Sequence, residues 1–96
     1  MAADALQQEI VLRGPLYRNE INALRIGLTR CLDEGEKLLA LDFSQVEYID
    51  CAGLGQLVYL HQQAQRSGAR LVLKGVTGRI RYLFDRTRLN QVLAIL

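Results

Sequence analysis

The chain has 96 residues, half of them hydrophobic, with 12 basic and 10 acidic side chains and a net charge of +2. That is the length of one domain able to build its own core, and its balance offers no strong field to draw nucleic acid or a membrane surface. Cys31 and Cys51 lie outside any CxxC pair, and the single histidine, His61, has no partner at ligand spacing, so neither a disulfide framework, a metal site nor a cofactor is expected.

Two Phe and four Tyr are few platforms for stacking on bases, so no nucleic-acid partner is expected. Arg66, Arg70, Arg79, Arg81, Arg86 and Arg88 bias the C-terminal half to the basic side and read as a solvated helix face. The opening MAADALQQEIVLRG lacks the basic region and long apolar run of a signal peptide, and no apolar stretch approaches the roughly 20 residues that span a bilayer. A cytoplasmic location without membrane insertion is the expectation.

In chain order, residues 1–8 are polar, Ala-rich and expected to be loosely ordered. Glu9–Arg13 reads as a strand closed by Gly14-Pro15, where proline supplies no donor and glycine permits a turn. Asn19 can cap the next segment, in which Ile21, Leu24, Leu28, Cys31 and Leu32 share one helical face and Gly35 supplies the stop. Lys37–Phe43 is an apolar run without alternation, as in a strand covered on both faces. A second helix is expected from about Ala52 to Ser67-Gly68, with Leu54, Leu57, Val58, His61 and Ala64 on one face. Ala69–Lys74 reads as another buried strand. Gly75–Gly78 turns the chain into a third amphipathic helix carrying Ile80, Leu83 and Phe84 and ending near Arg86. Leu89–Leu96 docks as a helical turn or a short strand, which periodicity does not separate. The alternation implies one α/β domain over residues 9–96, with a mostly parallel or mixed sheet of about four strands covered by helices.

The stretch that carries information runs from Leu41 to Gly55. A buried strand ends in Asp42, a short excursion follows, and Asp50 stands where its carboxylate can accept from the first amides of a helix and meet the positive end of its dipole. Cys51, Ala52 and Gly53 are small enough to let another surface approach. Gly53 and Gly55 would weaken a helix interior, which points to close approach as their purpose.

LDFSQVEYIDCAGLGQL resembles the signature of the STAS domains, typified by bacterial anti-sigma factor antagonists: a buried strand ending in Leu-Asp-Leu-Ser, then Val-x-x-Ile-Asp-Ser-Ser-Gly-Leu-Gly at a helix start. The resemblance continues through LVLKGVTGRIRYLFDRTRLNQVLAIL. It implies that Asp42 matches the strand-end aspartate, Asp50 the aspartate before the phosphorylation site, and Cys51 the first serine. Ala52 stands where the family's phosphoacceptor serine or threonine stands, and alanine has no hydroxyl to modify. In such proteins the unphosphorylated helix end docks onto a serine kinase that doubles as an anti-sigma factor, and phosphate breaks the complex by adding about −1.5 to −2 charges to a packed interface. The family commonly opens with two strands before the first helix, where this chain has one clear strand, so an exposed sheet edge or one built from residues 1–8 is expected.

The expected function is therefore a protein-binding regulatory module insensitive to phosphate at residue 52. Its surface is Ser44, Tyr48, Asp50, Cys51, Ala52, Gly53, Leu54, Gly55 and Leu57, and its partner an ATP-binding anti-sigma serine kinase or another partner-switching component. The alternatives are a cytosolic accessory subunit docking on the ATPase of an ABC lipid transporter, and a scaffold in a stress-signalling assembly. Ser44, Ser67, Thr77 and Thr87 are the other hydroxyls near element ends, and Ser44 reads first as a turn residue. Cys51 is read as a small structural residue, with a redox-sensitive thiol as the alternative. Cys31 is read as core and His61 as a structural histidine. Asp42 and Asp50 lack an accompanying nucleophile or oxyanion motif, so no enzyme is expected.

Overall fold

A computed structural model of the chain describes residues 7–96, in which four parallel strands lie side by side in the order β1-β2-β3-β4. The elements are β1 (Gln7–Leu16), α1 (Arg18–Asp33), β2 (Leu38–Ile49), α2 (Cys51–Arg66), β3 (Arg70–Lys74), α3 (Gly78–Arg86), a 3-10 turn (Leu89–Gln91) and β4 (Ala94–Ile95). The expected α/β sheet of four strands is thus present, and it is parallel throughout the described residues. Consecutive buried residues Leu39, Ala40 and Leu41 in β2 and Leu71, Val72 and Leu73 in β3 show why those strands carry no alternation: both faces are covered.

Three boundaries differ from the sequence reading, each for a local reason. The strand expected to close at Gly14-Pro15 runs on to Leu16, with register shifts between Val11 and Arg13 and between Gly14 and Pro15. Gly14 takes φ +69° at this irregularity, and Pro15 follows the second register shift on a strand that pairs with β2 alone among the described residues, an edge and bulge position where a missing N–H is tolerated. The expected excursion after Asp42 is also strand: β2 continues to Ile49 alongside β1, having left β3 at the Asp42–Lys74 pair. Finally, the cap of α1 is Tyr17 rather than Asn19, and its backbone N–H donates to Glu20 Oε1 at 3.0 Å. A glutamate three residues into the helix reaches back to the cap amide and leaves Asn19 inside the first turn. Gly35 follows the helix at φ +89°, as a left-handed stop.

The expected loose segment over residues 1–8 lies outside the described residues as far as residue 6, while Gln7 and Gln8 already pair with Leu38 and Leu39. Whether a further strand precedes β1 also falls outside the described residues. At the other end, both readings of Leu89–Leu96 are realised: a helical turn leads into β4, which pairs with Val72 and Leu73.

The core joins Ile21, Leu24 and Leu28 of α1 to Leu57, Leu60 and Ala64 of α2 and the inner residues of the sheet. Phe43 and Phe84, both buried, meet edge to face at 6.1 Å between ring centroids and fasten α3 against the outer part of β2. Cys31 is half-buried against the core rather than inside it, and burial, with Glu34 and Glu36 nearby, pushes its thiol above the ordinary range.

Candidate partner-docking site

Strand β2 delivers the chain to α2 through Asp50, whose Oδ1 accepts from the Gly53 N–H at 2.7 Å and caps the helix. The cap turns Gly53 inward: a Cβ there would lie 2.7 Å from Ile49 Cγ1 and 3.0 Å from the Leu16 carbonyl oxygen. Only glycine lets the helix start sit this low on the ends of β1 and β2. Leu54 and Leu57 follow into the interior, while Cys51, Ala52 and Gly55 face outward and are exposed. Around Gly55, nothing stands within 4 Å of where a Cβ would be.

Beside this turn an open, almost wholly apolar groove of about 340 Å³ runs between the start of α2 and α3. Ile49 and Leu54 line one wall, Ile80 and Leu83 the other, and Tyr48, Arg79 and Tyr82 stand at its margins. Tyr48 and Tyr82 are exposed by 44% and 62%, and Tyr17 supports Tyr48 with its ring centroid 5.8 Å away. On α3, the Arg86 guanidinium lies 5.8 Å from the Tyr82 ring centroid, within cation–π range.

The expected surface residues divide. Tyr48, Asp50, Cys51 and Leu54 line the groove; Ala52 and Gly55 are exposed on the same first turns of α2. Leu57 is fully buried and Gly53 is buried, so neither offers side-chain surface; they support the site from beneath. Ser44 stands apart, with its N–H donating to Asp42 Oδ1 at 2.9 Å against Gly75, before α3. Hydrogen bonding by Ser44, with a smaller contribution from Lys74, holds the half-buried Asp42 carboxyl below the usual carboxylate range. Both aspartates of the signature are therefore occupied as caps, one of a turn and one of a helix.

Of the other hydroxyls, Ser67 ends α2, Thr77 precedes α3, and Thr87 Oγ1 donates to the Leu83 carbonyl at 2.8 Å. His61 is half-buried, with a buried Nδ1 that makes no hydrogen bond. Among the described residues there is no group of three or more His, Cys, Asp or Glu that could hold a metal ion, and no helix is long and apolar enough to cross a membrane.

The sequence reading missed Tyr17, Ile49, Arg79, Ile80, Tyr82 and Leu83 as site residues. The signal was present in α3, where Arg79, Tyr82 and Arg86 recur at i, i+3 and i+7 on the face beside Ile80 and Leu83. What hid it was that Ile80 and Leu83 also read as core.

A family model for the STAS domain matches residues 6–95. The chain belongs to the STAS domain family. Its domains are non-catalytic modules that act through protein–protein contacts. Among solved structures, the chain is similar to a putative anti-sigma factor antagonist from Thermotoga maritima, with 21% identity and a TM-score of 0.78 over 91% of this chain and 77% of that one. It is also similar to a sulfate transporter family protein from Wolinella succinogenes, with 23% identity and a TM-score of 0.75 over 93% and 72% of the two chains. The anti-sigma factor antagonist SpoIIAA in its unphosphorylated form aligns at 16% identity with a TM-score of 0.71, over 92% of this STAS chain and 76% of its own.

Proposed function

We propose that this STAS domain is a cytoplasmic regulatory adaptor of the anti-sigma factor antagonist type, held permanently in its binding-competent form. The outward turn of α2 and the adjoining groove dock an ATP-binding anti-sigma serine kinase or another component of a partner-switching module. The observation that carries this reading is Ala52: it stands exposed in the first turn of α2, at the signature's phosphoacceptor position, and has no hydroxyl. A partner can lie against Cys51, Ala52 and Gly55 without meeting a long side chain, and no phosphate at residue 52 can dislodge it.

The test uses Ala52 because Leu54, at 6% exposure, would unfold the domain if made charged. Ala52→Ser restores the acceptor, and incubation with the purified kinase and ATP is expected to add one phosphoryl group by mass spectrometry. Ala52→Glu introduces charge and bulk and is expected to weaken partner binding by about tenfold or more. A folded Ala52→Glu variant with unchanged affinity overturns the site.

Ala52 equally favours a second reading, an accessory subunit whose same helix docks on the ATPase of an ABC lipid transporter, where no phosphate switch is needed. Under that reading Ala52→Glu still blocks binding, but Ala52→Ser gains no phosphoryl group because the partner is not a kinase.

A further inference from the structure

The groove walls are apolar, yet the helix that forms one of them is strongly basic. From Gly78 to Arg88 the chain carries Arg79, Arg81, Arg86 and Arg88 against the single carboxylate of Asp85, a local excess of three positive charges in a chain whose whole net charge is +2. Arg79 borders the groove directly, and Arg86 lies over Tyr82, which borders it too. Among the described residues neither arginine has an ion-pair partner, and the one salt bridge is Lys74 to Glu9, at 2.9 Å.

Arg79 is the telling position. It stands in the first turn of α3, a turn with no acidic residue and no side-chain cap from Thr77. The positive end of a helix dipole disfavours a cation there and favours an anion. On the opposite margin, the Asp50 carboxylate is engaged by the Gly53 N–H. Exposed tyrosines and arginines around an apolar centre are also the side chains most enriched where proteins bind proteins tightly.

Resting on the docking reading above, we infer that the groove receives an acidic amphipathic helix of the partner protein. Its apolar face fills the space between Leu54 and Ile80, and carboxylates on its flank meet Arg79 and Arg86. This is the helix-in-groove mode, in which the groove supplies affinity and the flanking charges choose the partner.

Two synthetic helical peptides test it. Both carry leucines at i, i+3, i+4 and i+7; one is flanked by glutamates and the other by lysines. The wild-type domain is expected to bind the glutamate peptide about tenfold more tightly at low salt, with backbone amide NMR shifts at the groove, and the preference shrinks as salt is added. The double variant Arg79→Glu with Arg86→Glu, its fold checked by circular dichroism, is expected to reverse the order. If both peptides bind the groove equally and Ala52→Glu weakens both, the docking site stands and its acidic preference is overturned. If neither peptide shifts the groove amides, the helix-in-groove proposal falls, while the docking site stands or falls separately on whether Ala52→Glu weakens binding of the partner protein.

Discussion

Gly53 and Gly55 stand two residues apart in α2 and face opposite worlds. Gly53 looks inward, where Ile49 and the Leu16 carbonyl leave no room for a methyl group. Gly55 looks outward, with empty space around it, although glycine in a helix interior costs about 1 kcal/mol relative to alanine. The same division runs through the whole start of the helix: Gly53, Leu54 and Leu57 bear on the interior, while Cys51, Ala52 and Gly55 are exposed. The inner set is explained by contacts within the chain. The outer set is small without any internal reason, which is what a surface kept clear for another molecule looks like. One motif thus meets a fold requirement with its inner residues and, under the docking proposal, keeps its outer residues clear for a partner.

The largest effect that separates the two faces belongs to Leu57. Its side chain is fully buried, so Leu57→Ala is expected to cost about 2–5 kcal/mol of stability, read by urea denaturation. Partner affinity per folded molecule should stay as it was. A variant that loses affinity while remaining fully folded would show that the inner face also recognises the partner, and the division would collapse.

The glycines themselves give the sharper pair. In Gly53→Ala, the gain of about 1 kcal/mol in helix propensity is set against an overpacking cost of about 1–3 kcal/mol, so a net loss is expected. In Gly55→Ala the propensity gain has no opponent, and stability should rise by about 0.5–1 kcal/mol. Thermal unfolding of the two variants decides it: shifts of opposite sign sustain the comparison, whereas shifts of the same sign refute it.

Much of this division was legible in the sequence because short-range chemistry writes it there. The string Ile49-Asp50-Cys51-Ala52-Gly53 announces a capped helix of small residues, and the stops at Gly35 and Gly68 were visible as glycines that take positive φ. The continuous strand Leu38–Ile49 was not legible. Once β2 leaves β3 its pairing is with β1 alone, and the buried positions Val46 and Ile49 fall three apart instead of two. Pairing across register shifts is a property of two segments, and neither segment announces it alone. The groove escaped for a similar reason. Ile80 and Leu83 lie on the apolar face of α3 as core residues do, but the Phe43–Phe84 contact holds that helix where Leu83 stays partly exposed beside α2.

The smallest expected effect separates the two aspartates of the signature by what they cap. Asp50 serves the helix, whereas Asp42 serves the turn through Ser44, on the side of the sheet where Gly75 leaves room. The Asp42 carboxyl is held below the usual carboxylate range by the Ser44 hydrogen bonds first, with Lys74 assisting. The folded state therefore binds this proton less readily than the unfolded chain does. Its stabilisation is fully present above the ordinary carboxylate pKa and is lost as pH falls through the lowered value. Asp42→Asn keeps the shape and an acceptor for the Ser44 N–H but removes the titration. Denaturation from neutral to acidic pH should show wild type and variant differing most near neutrality and converging in acid. Parallel curves across that range would mean that the Asp42 charge contributes nothing, leaving the turn to be held by Gly75 and the backbone alone.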